Sequence, residues 1–199
     1  MNTRRAAAID LLRVISRHYN SLFQPFLENQ INSFQSIEGN MDQEICLIQL
    51  IIDGSSKAFR DVDGCTQLFV NESQIHFTYH NIIQKRLSIL ANFLGENNQR
   101  VIEDQFNPIY VSTILRFIFY FRIFIPKDDL NLILKFLTNI RTNSRSLLHV
   151  IYLTVNGFII LKHGDFVYYR DIIQYFKEEK LKPVAADIFK LIYEGTCKE

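Results

Sequence analysis

Seven glycines, four prolines, three cysteines, two methionines and no tryptophan leave this chain poor in the residues that build many familiar sites. None of the glycines falls in a GxGxxG or GxxxxGK[ST] pattern, so no phosphate-cradling loop is encoded. No serine stands in a GxSxG elbow, and no constellation for nucleophilic catalysis emerges. Cys46, Cys65 and Cys197 are odd in number and no two are spaced as CxxC; they read as reduced intracellular thiols rather than a disulfide framework. Neither sign of charge dominates: 22 basic against 21 acidic side chains give a net charge of +1. That balance argues against a nucleic-acid binder working by bulk phosphate neutralisation, yet leaves room for a protein partner met through local charge patches. Long hydrophobic runs are lacking too. The greasiest stretch, 109–125, reads IYVSTILRFIFYFRIFI and carries Ser112, Thr113, Arg116 and Arg122. A membrane span needs about 20 mostly apolar residues, and each central arginine costs roughly 2.5–3.5 kcal/mol. No secretory signal is read at the start, where Arg4, Arg5, Asp10 and Arg13 interrupt an amphipathic pattern, so the sequon Asn71-Glu72-Ser73 is taken as chance.

What the chain does have is 48% hydrophobic residues at helical spacing, enough for a sizeable core. No run alternates long enough for a half-buried strand, so the predicted fold class is all-α. Helical patterns begin near Thr3, Asp42, Asn107, Arg145 and Pro183, and three of the four steps are about 38–39 residues, close to the HEAT period. The step from Asp42 to Asn107 carries about one period plus an extra stretch of roughly 26 residues. The expectation is a single HEAT-repeat solenoid segment, 1–199, of about four antiparallel helix pairs: 3–38, 42–95 with a long intra-repeat insertion at 54–70, 107–142 and 145–178, with one extra helix at 183–194. Stacked pairs of this kind offer long surfaces rather than an enclosed pocket, and so favour protein binding over catalysis.

In the first pair, Ala8, Leu11, Leu12, Ile15 and Tyr19 are read as one face, Thr3 as the cap, Pro25 as a first-turn residue of the partner helix, and Gly39 as its stop. Leu22, Phe26, Ile31 and Phe34 supply apolar surface to that partner. Ile45, Leu47, Ile48, Ile51 and Ile52 form the second stripe, after which Gly54 to Val70 loses periodicity and reads as loop chemistry. Helical patterning resumes after Asn71 and ends at Gly95-Glu96-Asn97-Asn98. The third pair is the clearest: Ile114, Phe117, Ile118, Phe121 and Ile125 on one helix, Pro126 as the stop, Asp128 or Asp129 as the next cap, and Leu130, Ile133, Leu134, Leu137 and Ile140 as the facing stripe. Leu148, Ile151, Val155, Phe158 and Ile159, then Ile172, Ile173 and Phe176, give the fourth. Val184, Ile188, Leu191 and Ile192 give the extra helix. The 17 phenylalanines are read as packing, since most stand at core spacing.

His76 and His80 are four apart on a predicted helix, a spacing that suits a metal, with Cys65 a conceivable third ligand. The residue after His76 is Phe77, however, where a catalytic zinc helix would carry glutamate, so no metal, cofactor or catalytic residue is assigned.

Three segments resemble one family. TRRAAAIDLLRVISRHYNSLFQPFLENQINSF, from Thr3 to Phe34, is similar to an "RRRAA-D-LR-L" helix and its partner. SSKAFRDVDGCTQLFVNES, from Ser55 to Ser73, is similar to an insertion carrying "G-(V/I/C)-T". FRIFIPKDDLNLILKFLTNIRTNSRSLLHVIYLTVNGFIILK, from Phe121 to Lys162, is similar to the "FR-x-x-(V/L)-PK-x-x-L" block and the "V-x-H-x-Y/A" helix after it, although Val150-Ile151-Tyr152 stands where Thr-Tyr-Ala is usual. Together they resemble the CAS-type exportins of the karyopherin-β superfamily, the receptors that return importin-α to the cytoplasm, up to about Lys162. The resemblance implies a central portion of a longer superhelix that grips importin-α together with the GTP form of Ran and shuttles between nucleus and cytoplasm. It also implies that the insertion touches Ran, making Lys57, Arg60, Asp61, Asp63 and Thr66 the candidate contact residues. No enzymatic activity, nucleic-acid contact or membrane insertion is expected. The fragment is expected to be monomeric, with self-association through exposed ends near Leu12, Ile15, Ile188 and Ile192. The alternatives are a HEAT or armadillo scaffold subunit unrelated to nuclear transport and an all-α metal protein using His76 and His80.

Overall fold

The computed structural model describes residues 4–34, 40–57, 59–60, 64–65, 67–95, 101–160, 166–178 and 190. The described residues are all-α but for one two-residue antiparallel ladder. The helices are α1 (Arg4–His18), α2 (Asn20–Ser33), α3 (Met41–Ser55), α4 (Glu72–Thr78), α5 (Gln84–Leu94), α6 (Pro108–Phe121), α7 (Lys127–Asn139), α8 (Arg145–Ile160) and α9 (Phe166–Glu178); β1 (Phe59–Arg60) and β2 (Gly64–Cys65) lie between α3 and α4. A π-helical turn, Tyr79–Ile83, joins α4 to α5 without a break. Among the described residues no helix is long and apolar enough to cross a membrane.

Asparagine starts several of these helices. Asn40, Asn71 and Asn107 each accept, through the side-chain oxygen, from a backbone N–H of the first turn, satisfying a donor that the helix itself cannot. Pro108 follows Asn107 at the first helical position, where its missing N–H costs nothing. Asp42 lies in the first turn of α3, and Asp128 and Asp129, read as cap candidates, lie in the first turn of α7 behind Pro126. Both placements still set negative charge against the positive end of the helix. At the far end of α5, Gly95 adopts φ +61° and ψ −168°, a backbone conformation open to glycine and costly for other residues.

The helices touch in two series. α1 packs on α3, α3 on α6, and α6 on α8; α2 packs on α4, α5 on α7, and α7 on α9. α6 carries the longest buried run, from Tyr110 through Phe121 with only Ser112 and Arg116 half-exposed, which accounts for its membrane-like composition. Ile114, Phe117, Ile118, Phe121 and Ile125 are all buried, as are Leu130, Ile133, Leu134, Leu137 and Ile140. One continuous apolar core runs from Phe23 to Ile173.

Arg122, directly after α6, is buried at 2% exposure and donates to the Phe119 carbonyl at 2.8 Å, with its guanidinium 4.9 Å from the Phe119 ring. It fits because Gly157 of α8 has no side chain: a Cβ there would stand 2.9 Å from the Arg122 Cδ.

The first pair departs from the sequence expectation. Leu12 and Ile15 pack against the core, but Ala8, Leu11 and Tyr19 are exposed, while Ser16 is fully buried. An ion pair turns the helix: Arg13 reaches Asp53 on α3 at 2.9 Å, so the α1 face at Arg13 and Ser16 is drawn inward. Pro25 lies inside α2 rather than in its first turn, because α2 begins at Asn20. The Tyr19 carbonyl accepts from Leu22 and Phe23 and restarts the helix almost at once. Ile31 and Phe34 are buried, whereas Leu22 and Phe26 are exposed. The Thr3 cap, the Gly39 stop, Glu96 to Asn98 and the Phe176 side chain lie outside the described residues. So does the extra helix at 183–194 except Lys190, which is helical.

Candidate functional site

The break in the helical beat is a small hairpin whose stem is packed. α3 runs on through Gly54 and Ser55, and its last turn is buried because Gly54 closes on Phe23, leaving 2.7 Å between a would-be Cβ and the ring. The chain then pairs with itself. The Phe69 amide donates to the Ser55 carbonyl at 2.7 Å, the Lys57 amide donates to Gln67 at 2.8 Å, Ser56 opposes Leu68, Phe59 opposes Cys65, and Arg60 opposes Gly64. β2 packs against α6 and the turn at Arg122–Phe124. Cys65 is 1% exposed, its thiol donates to the Gln67 carbonyl at 3.1 Å, and burial pushes its pKa up. A thiol so placed is a packing group, not a nucleophile.

The reading of 54–70 as unpacked loop is therefore corrected at both ends: Asp53 to Ser56, Cys65 and Val70 are buried. The cause is backbone satisfaction: paired strands meet the hydrogen-bonding needs of a chain pressed against a helix, which an unpaired loop could not do.

Of the candidate contact residues, Lys57 is exposed on the stem, its ammonium 5.9 Å from the Phe69 ring. Arg60 is placed by its backbone in β1, and Asp61, Asp63 and Thr66 lie outside the described residues. Lys57 thus stands at the base of the hairpin, three residues before the Arg60 that ends β1.

Sequence reasoning passed over two buried carboxylates on α3, Asp53 next to this element and Glu44 at the helix's other end. Asp53 accepts from Arg13 and from Gln49. Glu44, 1% exposed, accepts from Arg86 of α5 through both oxygens and from the Tyr110 hydroxyl of α6 at 2.6 Å. Burial, then the Glu44 hydrogen bond and charge, raise the Tyr110 pKa, partly offset by Arg86. The signal was available: Glu44, Ile48 and Ile51 share a helical face, and an acid in an apolar stripe needs a buried cation.

His76 and His80 are engaged separately, His76 with Glu72 at 3.2 Å and His80 with Gln84 at 3.2 Å. The π-helical turn begins between them and breaks the 3.6-residue register on which a shared ligand face depends. Among the described residues no group of three or more His, Cys, Asp or Glu is placed to hold a metal.

Compared with protein-family models, curated proteins and solved structures, the chain finds no match in any of the three.

Proposed function

We propose that this chain is a HEAT-type solenoid segment of a nuclear export receptor of the CAS class, which carries importin-α back to the cytoplasm in complex with Ran·GTP and works by binding, without catalysis. The observation that carries the reading is the hairpin between α3 and α4. The sequence breaks its period there, and the resemblance assigns Ran contact there. A two-stranded element stands at that place with Lys57 exposed at its base. The two series of touching helices also support it, since a solenoid brings each repeat against its neighbours alone. On this reading α1–α2, α3–α5, α6–α7 and α8–α9 are the repeats, and the receptor shuttles between nucleus and cytoplasm.

Charge of both signs on a short hairpin suits recognition of a polar GTPase surface, where steering and selectivity come from electrostatics. The test is capture of Ran, loaded with a non-hydrolysable GTP analogue, and importin-α by the full-length protein. Lys57→Glu with Arg60→Glu is expected to weaken Ran capture by about tenfold or more, and Lys57→Glu alone to leave the melting temperature where it is, because an exposed ion such as Lys57 contributes only about 0–1 kcal/mol to folding. Undiminished Ran and importin-α affinity in the double variant would leave the hairpin a spacer and remove the reading's main support.

A further inference from the structure

α6 and α8 pack side by side, and their seam opens into a groove of about 690 Å³. Arg116, Phe119 and Tyr120 line it from α6; Arg145, His149, Val150 and Leu153 are among those lining it from α8. The α6 positions are three and four apart and the α8 positions repeat every four, so each helix turns one continuous face into the groove. The floor is apolar, with Phe119 and Tyr120 buried and Val150 and Leu153 half-buried. The rim carries two arginines, Arg145 exposed and Arg116 half-exposed, with His149 exposed beside them. No carboxylate is among the described lining residues, in a chain whose total charge is almost balanced. The Arg116 guanidinium lies 6.0 Å from the Tyr120 ring, and neither it nor Arg145 forms an ion pair among the described residues. Glu103, the carboxylate nearest the start of α8 in the bonding pattern, is committed to Thr142 and to the Ser144 amide and does not line the groove.

We infer that this groove is a docking site for an acidic peptide segment of another protein, one that lays an apolar or aromatic side chain on the Phe119–Val150–Leu153 floor and carboxylates on Arg116 and Arg145. The inference goes beyond the Ran and importin-α reading and does not need it. Charge complementarity selects the occupant. Guanidinium groups over an aromatic-lined floor pair with planar carboxylates in two-point geometry, whereas a purely apolar partner would strand them against a dry surface. Size agrees: Arg145 to Leu153 spans about 12 Å of helix, the reach of roughly four extended residues.

The experiment is fluorescence anisotropy of the full chain with a short fluorescein-labelled peptide of alternating glutamate, phenylalanine and leucine, beside the same peptide carrying glutamine for glutamate. Saturable binding is expected for the acidic peptide, at least about tenfold tighter than for the glutamine peptide and weakened by added salt. R145E should weaken it by about tenfold. That residue is exposed in the first turn of α8, where an acid suits the helix, so the variant keeps its melting temperature. R116Q supplies a second, charge-removing arm with the same expected direction. No saturable binding, equal affinity for the glutamine peptide, or unchanged affinity in both variants would overturn the inference. So would stronger binding of an oligouridylate than of the acidic peptide, which would make the groove a nucleic-acid site.

Discussion

Glu44 is the residue on which three helices depend. Its carboxylate is met by Arg86 from α5 and Tyr110 from α6, so α3 is tied to both neighbours through one buried charge. Removing the cation while leaving the acid strands that charge. Arg86→Ala is expected to cost roughly 2–4 kcal/mol, somewhat under the roughly 3–5 kcal/mol for breaking a fully buried pair, because Arg86 is partly solvated and the Tyr110 hydroxyl remains. Replacing Glu44 and Arg86 together with leucine should recover much of that loss, and urea melts of both variants would check it; a single variant that costs as little as a surface change would mean water reaches Glu44. The buried phenols carry a second expectation. Burial raises the pKa of Tyr79, Tyr110 and Tyr169 above the ordinary 10.0, with Asp129 adding to it for Tyr79 and Glu44 for Tyr110. Since the folded pKa lies above the unfolded one, this stabilisation is whole below about pH 10 and drains away as pH climbs from there towards the folded value. Melting temperature should therefore fall steeply above about pH 10, with tyrosinate absorbance appearing together with unfolding. Smooth titration of every tyrosine near its ordinary value, with no loss of stability, would contradict the burial.

At the scale of the element, α6 shows what hydrophobic spacing can specify. Its stripe is buried throughout, and Ile118 has no exposed surface. Ile118→Asp places an unpaired carboxylate there at a cost of about 4 kcal/mol or more, enough to unfold a domain whose total stability is about 5–15. A circular dichroism melt close to wild type would sink that. Gly95 tests a different cause. Among the described residues, chain neighbours aside, no atom lies within 4 Å of a Cβ built at Gly95, yet its φ of +61° is one that side chains resist. Gly95→Ala is expected to lower stability by about 1–3 kcal/mol with no steric clash at all, and a neutral effect would mean that α5 ends in another conformation. Boundaries and the stripes of α3, α6, α7 and α8 were legible because apolar periodicity and asparagine or proline punctuation are local. The phase of α1 was not, because a long-range ion pair, Arg13 with Asp53, overrides a weak apolar face. The hairpin stem was hidden for a similar reason: its strands are two residues long, too short for alternation to register, and their burial is decided by α6. For the insertion, the loss of periodicity showed that the helical beat breaks there, but not that α3 continues to Ser55 or that Cys65 is buried in the stem.

For the whole molecule, the open question of surface is at the α1–α2 end. Leu11 is 60% exposed and Leu22 74% exposed, and Val14, Tyr19 and Phe26 are exposed beside them in sequence. Leu11 and Val14 share a face of α1, Leu22 and Phe26 share a face of α2, and Tyr19 stands at the joint. Leu12 and Ile15, which the sequence suggested for this role, pack against the core instead, and Ile188 and Ile192 lie outside the described residues. Each large apolar side chain covered on association gains up to about 1.5–3 kcal/mol, so five near one end can offset the entropy of bringing two chains together. The chain is expected to self-associate through this end in a concentration-dependent way, visible by sedimentation velocity as a shift from monomer to larger species. Leu22→Asp with Phe26→Asp should restore the monomer. Neither side chain is part of the buried core, so the melting temperature of the dilute protein should be unchanged and its affinity for an acidic peptide at the α6–α8 groove intact. Association that survives both substitutions would move the contact elsewhere on the molecule, and a lowered melting temperature would show that α2 is turned further into the core than its exposed leucine indicates.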